Sequence, residues 1–295
     1  MIWPMHKTME DYSNLLSRDI KTLTVSDIHC CGNNDLVRLE ELLEYCLINK
    51  FDYIFINGDI LNNGDVNPYD GLLELLRKIG KAANISTLIV DGNHDRMIFD
   101  VEINKWVPFY NANFFAELNN IDDKINYLEN ECYEDELLRV FGSSLPFAYF
   151  EEVSADLERK KELYRQYLSK FDCDFNKKFG IFQGHDILPL YNHSDFFSSS
   201  YPISASNLIM GGHYHNGGIP AYIDKLVGGN FGIINQRIFP AFHPFKRGIK
   251  LKNNRAYVLA PALATTHIKV LDNFFPPSVM VLDIIAKKNK VFKRT

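Results

Sequence analysis

Short apolar runs rich in β-branched and aromatic residues recur along the chain, and longer stretches with helical periodicity separate them. Eight runs are predicted strands, at residues 22–26, 53–57, 87–91, 138–142, 180–183, 208–210, 257–260 and 279–284. Residues 36–49 and 69–83 place leucine and isoleucine on one face, which predicts helices that cover a sheet. This alternation of strands and helices is typical of an α/β protein.

Two polar stretches fit the pattern of core elements less well. Residues 151–171 form a predicted charged helix with a thin apolar stripe, and residues 119–136 are similarly polar. We therefore expect a helical excursion at 119–172 from an otherwise single domain of residues 1–295. Residues 211–275 are rich in Gly, Pro, Phe and Asn, a composition typical of loops and short strands around a site.

Composition narrows the class of protein. The 295 residues are 46% hydrophobic, which is enough for a large core, and the net charge of −5 provides no general attraction for nucleic acid or anionic membranes. Five cysteines without a C-x-x-C pair indicate reduced thiols. Since no apolar run is long enough for a signal peptide or a membrane span, we expect a soluble cytoplasmic protein.

Five clusters of metal-capable residues each follow directly on a predicted strand. In chain order they contain Asp27 and His29, then Asp59, then Asn93 and His94, then His185, then His213 and His215. The carboxyl ends of strands in an open α/β sheet face one crevice, so residues at these ends converge. A glycine beside four of the clusters permits tight turns and close backbone approach. The pattern predicts one shared site.

The predicted ligands of this site, which are all of these residues except His94, offer nitrogen and oxygen but no thiolate. This set favours Mn, Fe, Zn or Ni over a closed structural zinc site. Seven ligands are too many for one ion, whereas two ions that share a carboxylate would use all of them and clamp a phosphoryl group for in-line attack. Each residue alone has a structural role as its alternative, but their joint occurrence at strand ends favours metal binding.

The motifs D-x-H, G-D, G-N-H-D, G-H and G-H-x-H, in this order from Asp27 to His215, resemble the calcineurin-like metallophosphoesterase superfamily. The resemblance implies a four-layer α/β/β/α sandwich with two mixed β-sheets. It also implies two metal sites that share Asp59 as a bridging ligand. The first site would consist of Asp27, His29, Asp59 and His215, and the second of Asp59, Asn93, His185 and His213.

The reaction implied by this resemblance is metal-dependent hydrolysis of a phosphodiester or phosphomonoester by a hydroxide that bridges the two ions. In the family, the histidine that matches His94 assists the leaving group; the alternative is a histidine that only shapes the site. Arg96 and Arg247 are candidates for phosphate contact because a guanidinium suits two oxygens at once. A structural salt bridge is the alternative for each arginine.

The chain departs from one branch of the superfamily at residues 58–64. Protein Ser/Thr phosphatases show G-D-x-x-D-R-G, but the sequence here is G-D-I-L-N-N-G. Asn62 can accept a hydrogen bond from an imidazole but supplies no negative charge, so His94 is expected to be a weaker acid catalyst. The missing arginine argues against phosphoprotein substrates. A loose similarity of the C-terminal third to lipid-related phosphodiesterases favours a phosphodiesterase.

The expected partner is a small phosphate-ester substrate. A nuclease of the same superfamily is an alternative, against which the acidic net charge argues, and a metal-binding scaffold without catalysis is another. Aromatic residues concentrate in several segments, including 106–110, where they would wall a pocket for a base or acyl chain or fill the core. The sequence leaves the substrate, the native metals and the oligomeric state open.

Overall fold

The computed structural model describes residues 2–30, 32–62, 69–151, 157–169, 178–192, 194–197, 202–214, 232–233, 242–243, 247–264 and 276–287. The strands are β1 (Trp3–Glu10), β2 (Ile20–Val25), β3 (Phe51–Asn57), β4 (Ala83–Val90), β5 (Met97–Asp100), β6 (Lys105–Pro108), β7 (Ile125–Tyr127), β8 (Glu131–Glu134), β9 (Leu138–Ser143), β10 (Phe179–Gly184), β11 (Leu208–Gly211), β12 (Gly232–Ile233), β13 (Phe242–His243), β14 (Gly248–Lys252), β15 (Arg255–Leu259) and β16 (Ser278–Ile285). The helices are α1 (Asn33–Asn49), α2 (Tyr69–Ala82), α3 (Ala112–Asn120), α4 (Phe147–Glu151), α5 (Leu157–Leu168) and α6 (Leu188–Asn192).

Two six-stranded sheets organise the described residues. The first has the strand order β1-β16-β2-β3-β4-β7, and the second has the order β14-β15-β11-β10-β9-β8. In the first sheet β2, β3, β4 and β7 are parallel, while β16 is antiparallel to β2. In the second sheet β9, β10, β11 and β15 are parallel, with β14 and β8 antiparallel at the edges. Both sheets are therefore mixed, as predicted.

Successive side chains along each strand point to opposite faces of the sheet, and this alternation separates the layers of the fold. On β3, Tyr53 and Phe55 pack between the two sheets, whereas Ile54 and Ile56 pack against the helices outside the first sheet. Helices α1, α2 and α3 cover that outer face, and α4, α5 and α6 cover the second sheet through an apolar cluster of their own. Because both faces of central strands such as β3 and β10 are buried, these strands are largely apolar, whereas the edge strands β1, β8 and β14 are partly exposed. The predicted four-layer α/β/β/α sandwich is confirmed.

The eight predicted strands and the two predicted covering helices are present, and their bounds agree with the prediction or differ by up to four residues. The predicted helix at 151–171 is represented by α5. The expectation of a helical excursion is wrong for residues 119–136, which contribute β7 to the first sheet and β8 to the second. These strands have three and four residues, and such short segments show no periodicity from which pairing can be predicted.

The cysteines differ from one another in chemistry. Cys46 is a buried free thiol, and burial raises its pKa to about 12. Cys132, on the exposed strand β8, is disulfide-bonded. The expectation of reduced thiols is therefore wrong for Cys132. None of the described helices combines the length and the apolar composition that crossing a membrane requires.

Candidate metal centre

The predicted ligands lie at the carboxyl ends of strands from both sheets. Loops after β2, β3 and β4 of the first sheet and after β10 and β11 of the second bring together Asp27, His29, Asp59, Asn93, His185 and His213. The loops also contact each other through their backbones, since the Asp27 amide donates to the Gly58 carbonyl at 3.1 Å. The seventh predicted ligand, His215, lies outside the described residues.

One group of possible metal ligands consists of His29, Asp59 and His94, whose ligand atoms lie within 4.8 Å of one another. The Nε2 atom of His29 is 3.5 Å from Asp59 Oδ2 and 4.0 Å from Asp27 Oδ1. The ring centroids of His29 and His94 are 4.5 Å apart, and the His94 amide donates to Asp59 Oδ1 at 2.8 Å. The geometry thus places His94, which we did not predict as a ligand, within reach of an ion.

The second group consists of Asp59, His185 and His213. The Nε2 atom of His185 lies 3.1 Å from Asp59 Oδ2, 3.1 Å from Asn93 Oδ1 and 3.1 Å from His213 Nδ1. Asp59 belongs to both groups, which is the arrangement that a carboxylate shared by two ions requires.

Backbone carbonyls orient two of the imidazoles. His185 Nδ1 lies 2.7 Å from the Asn57 carbonyl oxygen, and His94 Nδ1 lies 2.6 Å from the Asn62 carbonyl oxygen. A carbonyl oxygen only accepts, so Nδ1 carries the hydrogen in each ring and the Nε2 lone pair of neutral His185 is directed at the cluster. Metal-binding histidines commonly donate their other N–H to a carbonyl in this way. The donor set therefore fits a metal ion.

Glycine is required where the loops approach the ligands. A Cβ atom on Gly92 would lie 2.2 Å from Asp59 Oδ1, and one on Gly58 would lie 2.6 Å from His185 Nδ1. A Cβ atom on Gly212 would lie 2.9 Å from Asp27 Oδ2. Any larger residue at these positions would displace a predicted ligand, which agrees with the close backbone approach predicted from the motifs.

The backbone is strained at four of the predicted ligands. Asp27, His29, Asp59 and His213 have φ values of 52°, 48°, 53° and 75°. Five of the other six described non-glycine residues with positive φ are asparagines, a residue type that adopts the left-handed region in ordinary turns. Such conformations cost on the order of 1–3 kcal/mol each and persist where the surroundings over-determine them, most often at functional sites.

Opposite charges balance within the cluster. Burial by itself would raise the pKa of Asp59, but the charges of His185, His94 and His29 outweigh it and hold this pKa well below its usual range. Burial lowers the pKa of His185, yet the Asp59 carboxylate raises it to about 10 overall. Burial and the charge of His185 lower the pKa of His213 to about 4. Because histidines bind metals in their deprotonated form, an ion would replace the proton on His185.

A family model for calcineurin-like phosphoesterases matches residues 20–217, more than half of the chain and all seven predicted ligands. The chain belongs to the calcineurin-like phosphoesterase family. This confirms the resemblance drawn from the motifs, and it assigns the chain to a class of metal-dependent phosphoester hydrolases. No curated protein matches the sequence.

Solved structures with a similar arrangement include phosphopantetheinyl hydrolase from Mycobacterium tuberculosis, at 10% identity and a TM-score of 0.41, with 82% of this chain and 89% of that chain covered. GAP50, the anchor in the inner membrane complex of Plasmodium, has 11% identity and a TM-score of 0.41, with 82% and 71% covered. A dimetal phosphatase from Danio rerio has 12% identity and a TM-score of 0.40, with 82% and 87% covered. At these scores the similarities carry no inference about activity.

Two buried aspartates hold the loops of this calcineurin-like phosphoesterase together, and sequence reasoning assigned neither a role. Asp95 accepts from the backbone amides of Leu61 and Gly92, each at 2.8 Å, and so joins the loops after β3 and β4. Burial and the Asp59 charge raise the pKa of Asp95 to about 7. The G-N-H-D motif marked this residue, but nothing local indicated which amides it would bind.

Asp186 joins the loops of the second sheet. Its carboxylate accepts from the hydroxyls of Tyr149 at 2.8 Å and Tyr214 at 2.7 Å, and its carbonyl accepts from Tyr164 at 2.9 Å. Since Asp186 follows His185 and Tyr214 follows His213, this network ties two predicted ligands to each other. The acidic residue directly after G-H was the only signal in the sequence.

Gln183 connects the two sheets immediately before the site. Its Nε2 atom lies 3.0 Å from the Ile56 carbonyl, 3.0 Å from Asn57 Oδ1 and 3.1 Å from the Leu88 carbonyl. Gln183 is on β10 of the second sheet, whereas its three partners belong to β3 and β4 of the first. The side chain therefore sets the relative position of the two halves of the ligand cluster.

The two arginines predicted to contact phosphate, Arg96 and Arg247, have different surroundings. Arg96 Nε lies 2.5 Å from Asp91 Oδ2, and another guanidinium nitrogen lies 2.6 Å from Glu129, so this arginine forms the salt bridge that was its alternative. Arg247 is buried directly before β14, and the pairing of Gly248 with Leu259 places it at the carboxyl edge of the second sheet. The Asn62 side chain does not make the contact expected with His94; its backbone carbonyl does.

Proposed function

We propose that this protein hydrolyses small phosphodiesters or phosphomonoesters with two divalent or trivalent metal ions, and that it prefers diesters to phosphoproteins. The observation that carries the proposal is the position of Asp59, which lies 3.5 Å from His29 and 3.1 Å from His185 and belongs to both groups of possible ligands. Residues 1–295 would form a single domain that acts in the cytoplasm. Arg247, which lies at the carboxyl edge of the second sheet, would contact phosphate.

The metal sites follow the assignment implied by the motifs. Asp27, His29, Asp59 and His215 would hold one ion, and Asp59, Asn93, His185 and His213 the other. When bound, the ions would lower the pKa of a water between them and neutralise charge on the phosphoryl oxygens. The strained loops and the hydrogen bonds of Asp95, Asp186 and Asn57 hold the ligands in place before the substrate arrives.

His94 would serve the leaving group. Its Nδ1 atom is held by the Asn62 carbonyl, and its ring lies 4.5 Å from the His29 ring, at the border of the cluster. In the proposed reaction a water gives up one proton to solvent, its oxygen bonds to phosphorus, and the bond from phosphorus to the leaving oxygen breaks with its electron pair. His94, which in this step carries a hydrogen on Nδ1 and a second one on Nε2, gives the Nε2 proton to the leaving oxygen, and the products are an alcohol and a phosphate.

Metal removal tests this function. We expect the purified protein to carry roughly two transition-metal ions per chain and to hydrolyse bis-p-nitrophenyl phosphate and p-nitrophenyl phosphate with added Mn²⁺. Treatment with a chelator should abolish hydrolysis, and Mn²⁺ should restore it while Ca²⁺ does not, because nitrogen ligands select transition metals. Hydrolysis that survives complete removal of metal, or a protein that binds none, would contradict the proposal.

A further inference from the structure

We propose that Trp106 and Phe99 bind an apolar ring in the leaving group of the ester, and so select substrates in which that group is aromatic. The inference rests on the proposed function, because it concerns the group that departs beside His94. It identifies a substrate class that the metal cluster alone does not specify.

Both residues lie on a hairpin that follows the G-N-H-D motif. Strand β5 begins at Met97, three residues after His94, and pairs with β6 so that Phe99 lies opposite Trp106. The Trp106 ring is 5.2 Å from the His94 ring and 5.3 Å from the Phe99 ring, both edge to face. The rings of Trp106 and Phe99 thus form a row that begins at His94, the residue that would donate the proton to the leaving group.

These two rings differ from the aromatic residues of the core. Trp106 is 40% exposed and Phe99 is 36% exposed, whereas Tyr53 and Phe114 are completely buried. The sequence left open whether the aromatic residues fill the core or wall a pocket, and the structure separates the two kinds. Large apolar side chains that stay exposed in a cluster commonly mark a binding site.

The contact with His94 indicates what the rings would bind. Because Trp106 contacts the His94 ring, a group that leaves beside His94 would lie next to Trp106, where a flat ring can stack or meet the indole edge to face, whereas a polyol gains little. The turn between β5 and β6 also exposes Val101 and Ile103. A bilayer would engage that turn, but it would not require an aromatic ring against the imidazole, so the geometry favours the substrate.

Paired substrates test the selectivity. We expect Trp106→Ala to lower kcat/KM for phenyl phosphate by about tenfold and that for glycerol 2-phosphate by less than about twofold, since stacking on one aromatic ring contributes about this factor. Each ester is compared between the variant and the unmodified protein, so the difference in intrinsic reactivity between the two esters cancels. Trp106→Phe should retain most of the preference, and Tyr12→Ala, an exposed tyrosine beyond the end of β1, should leave both values unchanged. An equal change for both esters would overturn the inference.

Fluorescence provides a second test that does not depend on turnover. The chain has two tryptophans, so Trp3→Phe leaves Trp106 as the only one. With Zn²⁺ present, phenylphosphonate should change Trp106 emission at concentrations where methylphosphonate does not. A response to phospholipid vesicles without a response to phenylphosphonate would overturn the inference in favour of a membrane. A protein inactive on both esters would contradict the proposed function, while this measurement would still decide the role of Trp106.

Discussion

Two carboxylates, those of Asp135 and Asp59, lie near opposite ends of strand β3 and have different surroundings. Near its amino end, Tyr53 donates its hydroxyl to Asp135 at 2.6 Å, and Tyr133 donates to the same oxygen at 2.9 Å. Directly beyond its carboxyl end, Asp59 instead faces the ring nitrogens of His29 and His185. The phenol groups around Asp135 serve as donors, whereas imidazoles can lose their protons and bind a metal.

The backbone shows the same contrast. The two oxygens of Asp135 are satisfied by the two phenols and by the amides of Leu137 and Leu138, in an ordinary loop before β9. Asp59 has φ of +53°, a conformation that costs stability. A half-buried carboxylate that the protein fully satisfies supports the fold, while a buried one held in strained backbone among imidazoles is arranged for a ligand.

The largest expected effect comes from substituting Asp59, the aspartate near the carboxyl end of β3, and Asp135, near its amino end, serves as the comparison. Asp59→Asn should reduce hydrolysis by at least about 10³-fold and lower the metal content, because a bridging ligand loses its charge. Asp135→Asn should leave metal content and activity unchanged but lower the free energy of unfolding by about 1–3 kcal/mol, since an amide group would face its donors. Metal analysis, kinetics and urea unfolding measure the three quantities. Equal losses of activity in both variants would remove the distinction.

His94→Gln should come next. We expect kcat for alkyl esters to fall by about 10²–10⁴-fold with the metal content unchanged, and the loss should be smaller for p-nitrophenyl esters, whose leaving group needs no proton. Steady-state kinetics on the two kinds of ester, together with metal analysis, would show this pattern. If the variant loses one metal ion instead, His94 is a ligand, as its place beside His29 and Asp59 permits.

The Asp186 network should have an intermediate effect. Tyr214→Phe removes a hydroxyl that donates to the Asp186 carboxylate, and we expect metal affinity to fall by about 10–100-fold, as is typical of residues that orient ligands. Tyr164→Phe is a matched control, because its hydroxyl donates to the backbone carbonyl of Asp186 and not to the carboxylate. Competition with a chelator dye would measure both affinities. A larger loss in the Tyr164 variant would contradict the assigned role of the carboxylate.

The smallest effect is expected at the contact between the sheets. Gln183→Met would leave buried acceptors on β3 and β4 without their donor, and should lower the free energy of unfolding by about 1–3 kcal/mol. Gln166→Met on the exposed face of α5 should change it by less than about 0.5 kcal/mol. Thermal and urea unfolding would compare them. Unchanged stability in the Gln183 variant would mean that the sheets are positioned by apolar packing alone.

The sequence by itself determined the strands, the covering helices and the types of side chain at the strand ends. Continuous apolar runs are typical of strands buried on both faces, and the carboxyl ends of parallel strands converge, so six of the predicted ligands could be placed in one site. The same local information failed at residues 119–136, where the short strands β7 and β8 form through pairing with distant strands.

Only the tertiary structure decided how the ligands are held. His185 is oriented by Asn57, 128 residues earlier in the chain, and Gln183 reaches the backbone of β4, 95 residues away. The commitment of Arg96 to Asp91 and the position of Trp106 against His94 likewise depend on side-chain directions that the sequence pattern does not encode. Periodicity reports which face of an element is buried, whereas hydrogen-bond partners depend on which loops meet once the two sheets have packed.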